Sequence, residues 1–229
     1  RYGNNPVVKP LGPLGPAWES RNTYNPGVLP DNGRFVMLYR GQGSNANPSK
    51  EGYAESLDGV TFDRKADPVI DATEPFETHY GCEDARLVKY QGVYYAVYTG
   101  NGPNNGGIAL CEAISTNCID WKKLGVVVFG TKNGAIVRDP YGTPVKINGK
   151  FVMYVGNNNF GVCFSDDLKT WTKVKWLDIK LPAGWVKPFE PCIAIADHST
   201  FRPNDIVLFI AGTLNGKGKW FYAISEILI

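Results

Sequence analysis

Four times along this chain an apolar, β-rich stretch is followed by a shorter one carrying small residues, often closed by a Ser/Asp-containing turn that ends on an aromatic. The copies are GRFVMLYRG with GYAESLDGVTF, GVYYAVYTGN with IALCEAISTNCIDW, GKFVMYVGN with FGVCFSDDLKTW, and DIVLFIAG with WFYAISEI. They begin near Gly33, Gly92, Gly149 and Asp205, a repeat of roughly 57 residues, which is the size of one propeller blade with its loops. Blades are expected near residues 20–66, 80–125, 137–178 and 188–229 of one propeller domain.

The periodicity is two. Phe35, Met37 and Tyr39 alternate with Val36, Leu38 and Arg40, and Tyr94, Ala96 and Tyr98 alternate with Tyr95, Val97 and Thr99. Both faces are largely apolar and the residues are β-branched or aromatic, so these strands need cover on both sides. Sheets packed face to face about an axis supply it; an open sheet with one wet face would alternate more cleanly. DNG (31–33), NGPNNGG (101–107) and NGK (148–150) are hairpin-turn chemistry, and no Gly- and Pro-free stretch of ten residues has helical spacing. The chain reads as all-β.

Composition excludes several functions. Lys and Arg number 24 against 22 Asp and Glu, for a net charge of +2, with no basic run longer than a pair, which argues against nucleic acid and anionic membranes as partners. No apolar run reaches the ~18 residues of a spanning helix. The start, Arg1, has neither an initiator Met nor signal-like character and reads as a processed or trimmed end. Two histidines and no CxxC make a zinc site unexpected, and no ligand spacing supports Ca²⁺ in an axial channel, so neither metal nor cofactor is expected. Cys111 and Cys118 bracket CEAISTNC, a spacing that fits either a disulfide or two half-buried thiols. A disulfide would point to a secreted or periplasmic protein, free thiols leave the cytoplasm open, and Cys82, Cys163 and Cys192 read as buried small hydrophobes.

Polar residues cluster just before each repeat, in what the pattern makes loops leading into the axial mouth. They are Trp18, Glu19, Arg21, Asn22 and Asn25; His79, Glu83, Asp84 and Arg86; Lys132, Asn133, Arg138 and Asp139; and Lys187 and Glu190. Carboxylates, amides and bases walled by aromatics such as Tyr98 suit a carbohydrate, with polar groups gripping hydroxyls and rings stacking on the apolar sugar face. Paired carboxylates are also what glycosidic cleavage requires. Any one of these residues is more often a turn cap, but the recurrence of four at one repeat position points to a site. Asn25, Asp84, Asp139 and Glu190 are therefore expected to gather in a central well.

TYNPG (23–27), YRG (39–41), GCEDARL (81–87) and YTGN (98–101) resemble glycoside hydrolase family 130, the mannoside phosphorylases and β-mannosidases built on a five-bladed propeller. The resemblance runs from NNPVV (4–8) through the third repeat. It implies that Asp84 is the general acid, protonating the leaving group through a sugar hydroxyl, and that Asn25, Arg40 and Arg86 surround the sugar that is cleaved. It places Glu190 where hydrolytic members supply a base and makes the Ser56–Asp58 turn structural. Phosphorylases of the family carry basic residues after the third blade's first strand, where this chain reads VGNNN (155–159). A partly desolvated dianion needs cations, so this position favours hydrolysis, with phosphorolysis left open through Lys132 and His198.

IVRDPYG (136–142) and FEPC (189–192) also resemble family 32 and related fructosidases and arabinosidases. Those enzymes use an Asp in the first blade where this chain has Asn25, and an amide cannot serve as nucleophile or base. Asp139 is accordingly read as a sugar-binding or pKa-tuning group. The expectation is an inverting β-mannosidase-type enzyme. Asp84 would be kept protonated by Glu83 and Asp139, and Glu190 would activate water from ~6.5–9.5 Å away. A non-catalytic glycan-binding propeller is the other class, and sugar linkage and oligomeric state are not legible. Both families close on five blades, so four recognisable repeats lead us to expect a missing C-terminal blade.

Overall fold

A computed structural model describes residues 3, 5–43, 48–102, 107–157, 159–178, 185–196, 205–214 and 220–228. Beyond residue 184 only the side chains of Pro191, Ala194, Ile195 and Ala196 are included. Among the described residues the chain is all-β apart from three short 3-10 turns, at Gly12–Leu14, Ala17–Glu19 and Pro75–Glu77. Strands β1 (Asn22–Asp31), β2 (Arg34–Gln42), β3 (Lys50–Ser56) and β4 (Asp63–Arg64) form one antiparallel meander. A second comprises β5 (Gly81–Tyr90), β6 (Val93–Asn101), β7 (Ile108–Ser115) and β8 (Lys122–Phe129).

The third sheet is larger. It carries β9 (Gly134–Arg138), β10 (Lys146–Ile147), β11 (Lys150–Gly156), β12 (Phe160–Ser165) and β13 (Lys175–Leu177). It continues into β14 (Trp185–Ile195), β15 (Asp205–Leu214) and β16 (Trp220–Leu228). The join is a short parallel pairing, Ala194 with Val137 and Ile195 with Arg138, extended by the Ala196 amide on the Arg138 carbonyl at 2.9 Å. No described sheet closes on itself.

Two-sided burial follows from the apolar alternation. On β6, Tyr94, Ala96 and Tyr98 pack toward the first meander against Leu29, Leu38 and Tyr53, while Tyr95 and Val97 pack toward the third sheet against Ile136, Phe151 and Met153. Each large apolar side chain in these layers contributes ~1.5–3 kcal/mol when fully buried. The outer corners are held locally. Ser56 Oγ accepts the amides of Asp58 and Gly59, and Asp58 Oδ1 those of Val60 and Thr61. Ser115 with Asn117 and Ser165 with Asp167 repeat the arrangement, which leaves Gly59, Cys118 and Leu168 at φ +72°, +63° and +62°.

Two expectations are corrected. The segments read as loops leading in are the first strands themselves: TYNPG lies in β1, CEDAR in β5, GAIVR is β9 and FEPC lies in β14. The strands taken as first, beginning near Gly33, Gly92 and Gly149, are the second of each meander. No disulfide joins Cys111 to Cys118, because both are free and buried. Cys111 lies mid-strand in β7, four residues and about 13 Å before its end, and Cys118 lies in the turn beyond. Burial pushes both thiols up to about 12, as it does Cys163, and the argument for an oxidising compartment goes with the disulfide. Cys192 lies in β14, its side chain outside the described residues.

Candidate active site

First strands β1 and β5 are both broken by a bulge at the same place. The register of β1 on β2 slips between Tyr24 and Gly27, and that of β5 on β6 between Glu83 and Arg86. Asn25 and Asp84 occupy the bulges at φ +51° and +60°, a region Asn and Asp tolerate better than other side chains. Pro26 cannot donate to a ladder, which suits it to the bulge. The two bulges abut: a Cβ on Gly27 would lie 2.3 Å from the Ala85 carbonyl oxygen, so only glycine lets β1 come this close to β5.

Asp84 is nearly buried, at 4% exposure. Its Oδ1 accepts from Asn25 Nδ2 at 2.8 Å and from Arg40 NH1 at 3.3 Å. Arg40 also donates NH2 to Glu83 Oε1 at 2.8 Å and Nε to Ser49 Oγ at 2.9 Å, and its guanidinium lies 4.6 Å above the Tyr24 ring. Arg86 NH1 ties the bulges together through the carbonyls of Asn25, Asp84 and Ala85, each at 3.2 Å. Behind this layer Glu51, fully buried on β3, accepts the Ala85 amide at 3.2 Å.

Burial raises the Glu83 carboxyl, with Arg40 opposing and Asp84 reinforcing the rise. The Arg40 guanidinium is held above its ordinary value: burial would lower it, but Glu83 and Asp84 more than offset that. Burial raises the Tyr24 phenol. Glu51 is pushed up to about 8 by burial first and the Asp84 charge second. Lys132 lies near enough to Glu83 to oppose its rise. The carbonyls of Lys132 and Asn133 both accept the Gly156 amide, at 3.2 and 3.1 Å, so Lys132 sits beside the end of β11.

Of the residues expected here, Asn25, Arg40, Glu83, Asp84 and Arg86 come together. Arg21 lies one residue before β1, exposed, with its amide on the Gln42 carbonyl at 3.1 Å. Tyr98 is not a sugar platform. It is 1% exposed on the core face of β6, its hydroxyl donating to Glu77 Oε1 at 2.7 Å, and burial raises it far above the ordinary phenol range. Asp139 closes its own turn, Oδ1 accepting the amides of Tyr141 and Thr143 at 2.9 and 2.8 Å, and it is not among the residues that contact Asp84. Glu19 likewise serves the core, accepting from Tyr39 and Arg64. The Glu190 backbone pairs with Ala211 in β14, but its side chain, like all of His198, lies outside the described residues, and with it the expected carboxylate separation.

The first strands do converge: a cavity of about 40 Å³ is lined by Gly27 and Val28 of β1, Leu87 of β5, Ile136 and Arg138 of β9, and Ala194 of β14. Residues the sequence reading missed are Glu51, Ser49 and Tyr24. Glu51 left a signal there as an acid in the strand segment KEGYAES, and Tyr24 as a member of the TYNPG motif.

A family model described as beta-1,4-mannooligosaccharide phosphorylase matches residues 3–218. A 1,2-beta-oligomannan phosphorylase of Thermoanaerobacter sp. (strain X514) is 36% identical over 193 residues, covering 81% of this chain; the chain spans 62% of that relative's length. Among solved structures, a glycosyl hydrolase from Bacteroides ovatus superposes with a TM-score of 0.84 at 29% identity, covering 100% of this chain and 75% of its own. Another was described with the finding that family 130 mannoside phosphorylases contain glycoside hydrolases targeting β-1,2 mannosidic linkages in Candida mannan. It gives 0.82 at 28% identity, with 100% and 75% covered. With its bulge-borne Asp84 in the GCEDARL segment that first suggested the resemblance, and with the family model matched over nearly its whole length, the chain belongs to glycoside hydrolase family 130.

Proposed function

We propose that this protein is a mannoside phosphorylase, cleaving the terminal residue of β-1,2-mannooligosaccharides with inorganic phosphate. The reading rests most on Lys132, a cation beside both Glu83 and the end of β11. VGNNN carries no base, which favours hydrolysis on sequence alone; Lys132, whose carbonyl accepts the Gly156 amide and whose charge is felt at Glu83, is the cation that supports the other reading. The relatedness to the oligomannan phosphorylase of Thermoanaerobacter supports the same side.

In the reaction a phosphate oxygen attacks the anomeric carbon and the glycosidic C–O bond breaks. A proton passes from Asp84, through a sugar hydroxyl, to the leaving oxygen. The products are α-mannose 1-phosphate and a chain one residue shorter, with inversion. Asn25 and Arg40 hold Asp84 Oδ1, and Oδ2 has no hydrogen-bond partner among the described residues. Phosphate is itself the nucleophile, so phosphorolysis needs no water-activating base and does not call on Glu190 for that role.

Hydrolysis is the second reading, favoured by the likeness to the structure described with β-1,2-directed hydrolases. Incubation with β-1,2- and β-1,4-mannooligosaccharides, with and without phosphate, decides. Mannose 1-phosphate that appears only with phosphate supports phosphorolysis. Free mannose at a phosphate-independent rate overturns it in favour of hydrolysis, and binding without product under both conditions makes the protein a glycan-binding module.

A further inference from the structure

Glu51 is a buried acid that the mechanism above does not use. It lies on β3, opposite Arg40 of β2, with 0% exposure. Its backbone is committed to Val69 and Ile70 at 2.8–3.3 Å, so the strand position is fixed independently of the side chain. Oε1 accepts the amide of Ala85, the residue after Asp84, at 3.2 Å, while Oε2 is buried with no hydrogen-bond partner among the described residues. A buried carboxyl oxygen left unsatisfied is costly; Glu19 and Glu112 carry one too, and what sets Glu51 apart is its bond to the amide beside Asp84.

A bulge leaves amides without ladder partners, and the Ala85 amide is one of them. Resting on the reading of Asp84 as the acid, we propose that Glu51 is a positioning residue: through the Ala85 amide it fixes the bulge that aims the Asp84 carboxyl at the substrate.

The groups that face it are Asp84, Arg86 and Cys82 of β5 and Arg40 of β2. Burial first and the Asp84 carboxyl second push Glu51 up to about 8, so at neutral pH it stands behind the bulge as the uncharged acid and ionises only above that. Glutamine keeps the acceptor and the volume and cannot ionise; alanine removes the anchor.

The test compares the wild type, Glu51→Gln and Glu51→Ala on mannooligosaccharide with phosphate. The Ala variant, shown folded by its melting curve, is expected to lose on the order of 10- to 100-fold in kcat, with KM for the mannoside within about 3-fold. The Gln variant, which keeps an acceptor for the Ala85 amide, is expected to hold kcat within about 3-fold of the wild type. A folded Ala variant with wild-type kcat overturns the proposal, as does a Gln variant that loses about 10-fold or more; if the Ala variant does not fold, the Gln rates and the carboxyl titration decide.

The same question is asked without turnover by following the Asp84 side-chain carboxyl by ¹³C NMR against pH. A step near pH 8 in the wild type that vanishes in Glu51→Gln supports the proposal, and identical titrations overturn it. A wild type that turns over no mannoside would therefore sink the phosphorylase reading while leaving this coupling to be judged by itself.

Discussion

Asn25 donates to Asp84 across 2.8 Å although the two lie 59 residues apart, and each sits at positive φ on the same bulge of successive first strands. The repeat places the pair: a bulge copied from one sheet to the next brings an amide and a carboxylate into register. Asn25 can then donate where a second carboxylate would repel.

Asp84→Asn is expected to fold and to bind mannooligosaccharide with little change, while phosphorolysis falls about 100- to 10,000-fold, the usual cost of losing a general acid. Initial rates of mannose 1-phosphate release, together with a binding isotherm, measure both halves.

Lys132→Ala is expected to raise KM for phosphate about 10- to 100-fold, the scale of one charge-assisted hydrogen bond, while KM for the mannoside changes little. Varying each substrate at saturation of the other separates these effects. Equal change in both constants would remove Lys132 from the phosphate site.

Tyr98→Phe is expected to cost about 1–3 kcal/mol of stability, because Glu77 Oε1 loses its buried donor. KM for mannoside should not move. Urea unfolding beside a kinetic assay distinguishes this core role from the sugar-stacking role the sequence pattern had pointed to.

Glu112→Gln is expected to flatten the alkaline loss of stability. Glu112 is buried on β7, its Oε2 accepting from Trp171 Nε1 at 3.1 Å, and burial pushes its carboxyl up to about 8. A carboxyl raised on folding stabilises most below its ordinary value of 4.5, and the contribution is lost as pH rises through about 8. Melting temperatures at pH 5, 7 and 8.5 should therefore decline more steeply for the wild type than for the variant.

The sheets were legible because β2, β6 and β11 are apolar on both faces and their hairpins carry Asn-Gly or Gln-Gly turns. The first strands were not, since the bulges at Asn25 and Asp84 interrupt the period of two and fill those strands with polar residues, which read as loops. The trio of Asn25, Arg40 and Asp84 was visible through family likeness. Tyr98 misled because alternation tells that two faces differ but not which one meets the axis. Asp139 misled because a turn cap and a ligand share one side chain. Glu51 was passed over since its role depends on Ala85, 34 residues away on another sheet.

The parallel join of β14 to β9 bears on how the molecule comes apart. Because Ala194 and Ile195 complete the ladder of Val137 and Arg138, peeling β14 away exposes the free edge of β9, the strand whose other edge holds β11. Amide protons on both sides of that seam should then exchange with deuterium at a common rate, slower than the outermost strands, so that the third and fourth repeats breathe together and the seam acts as a keel for the substrate-facing rim.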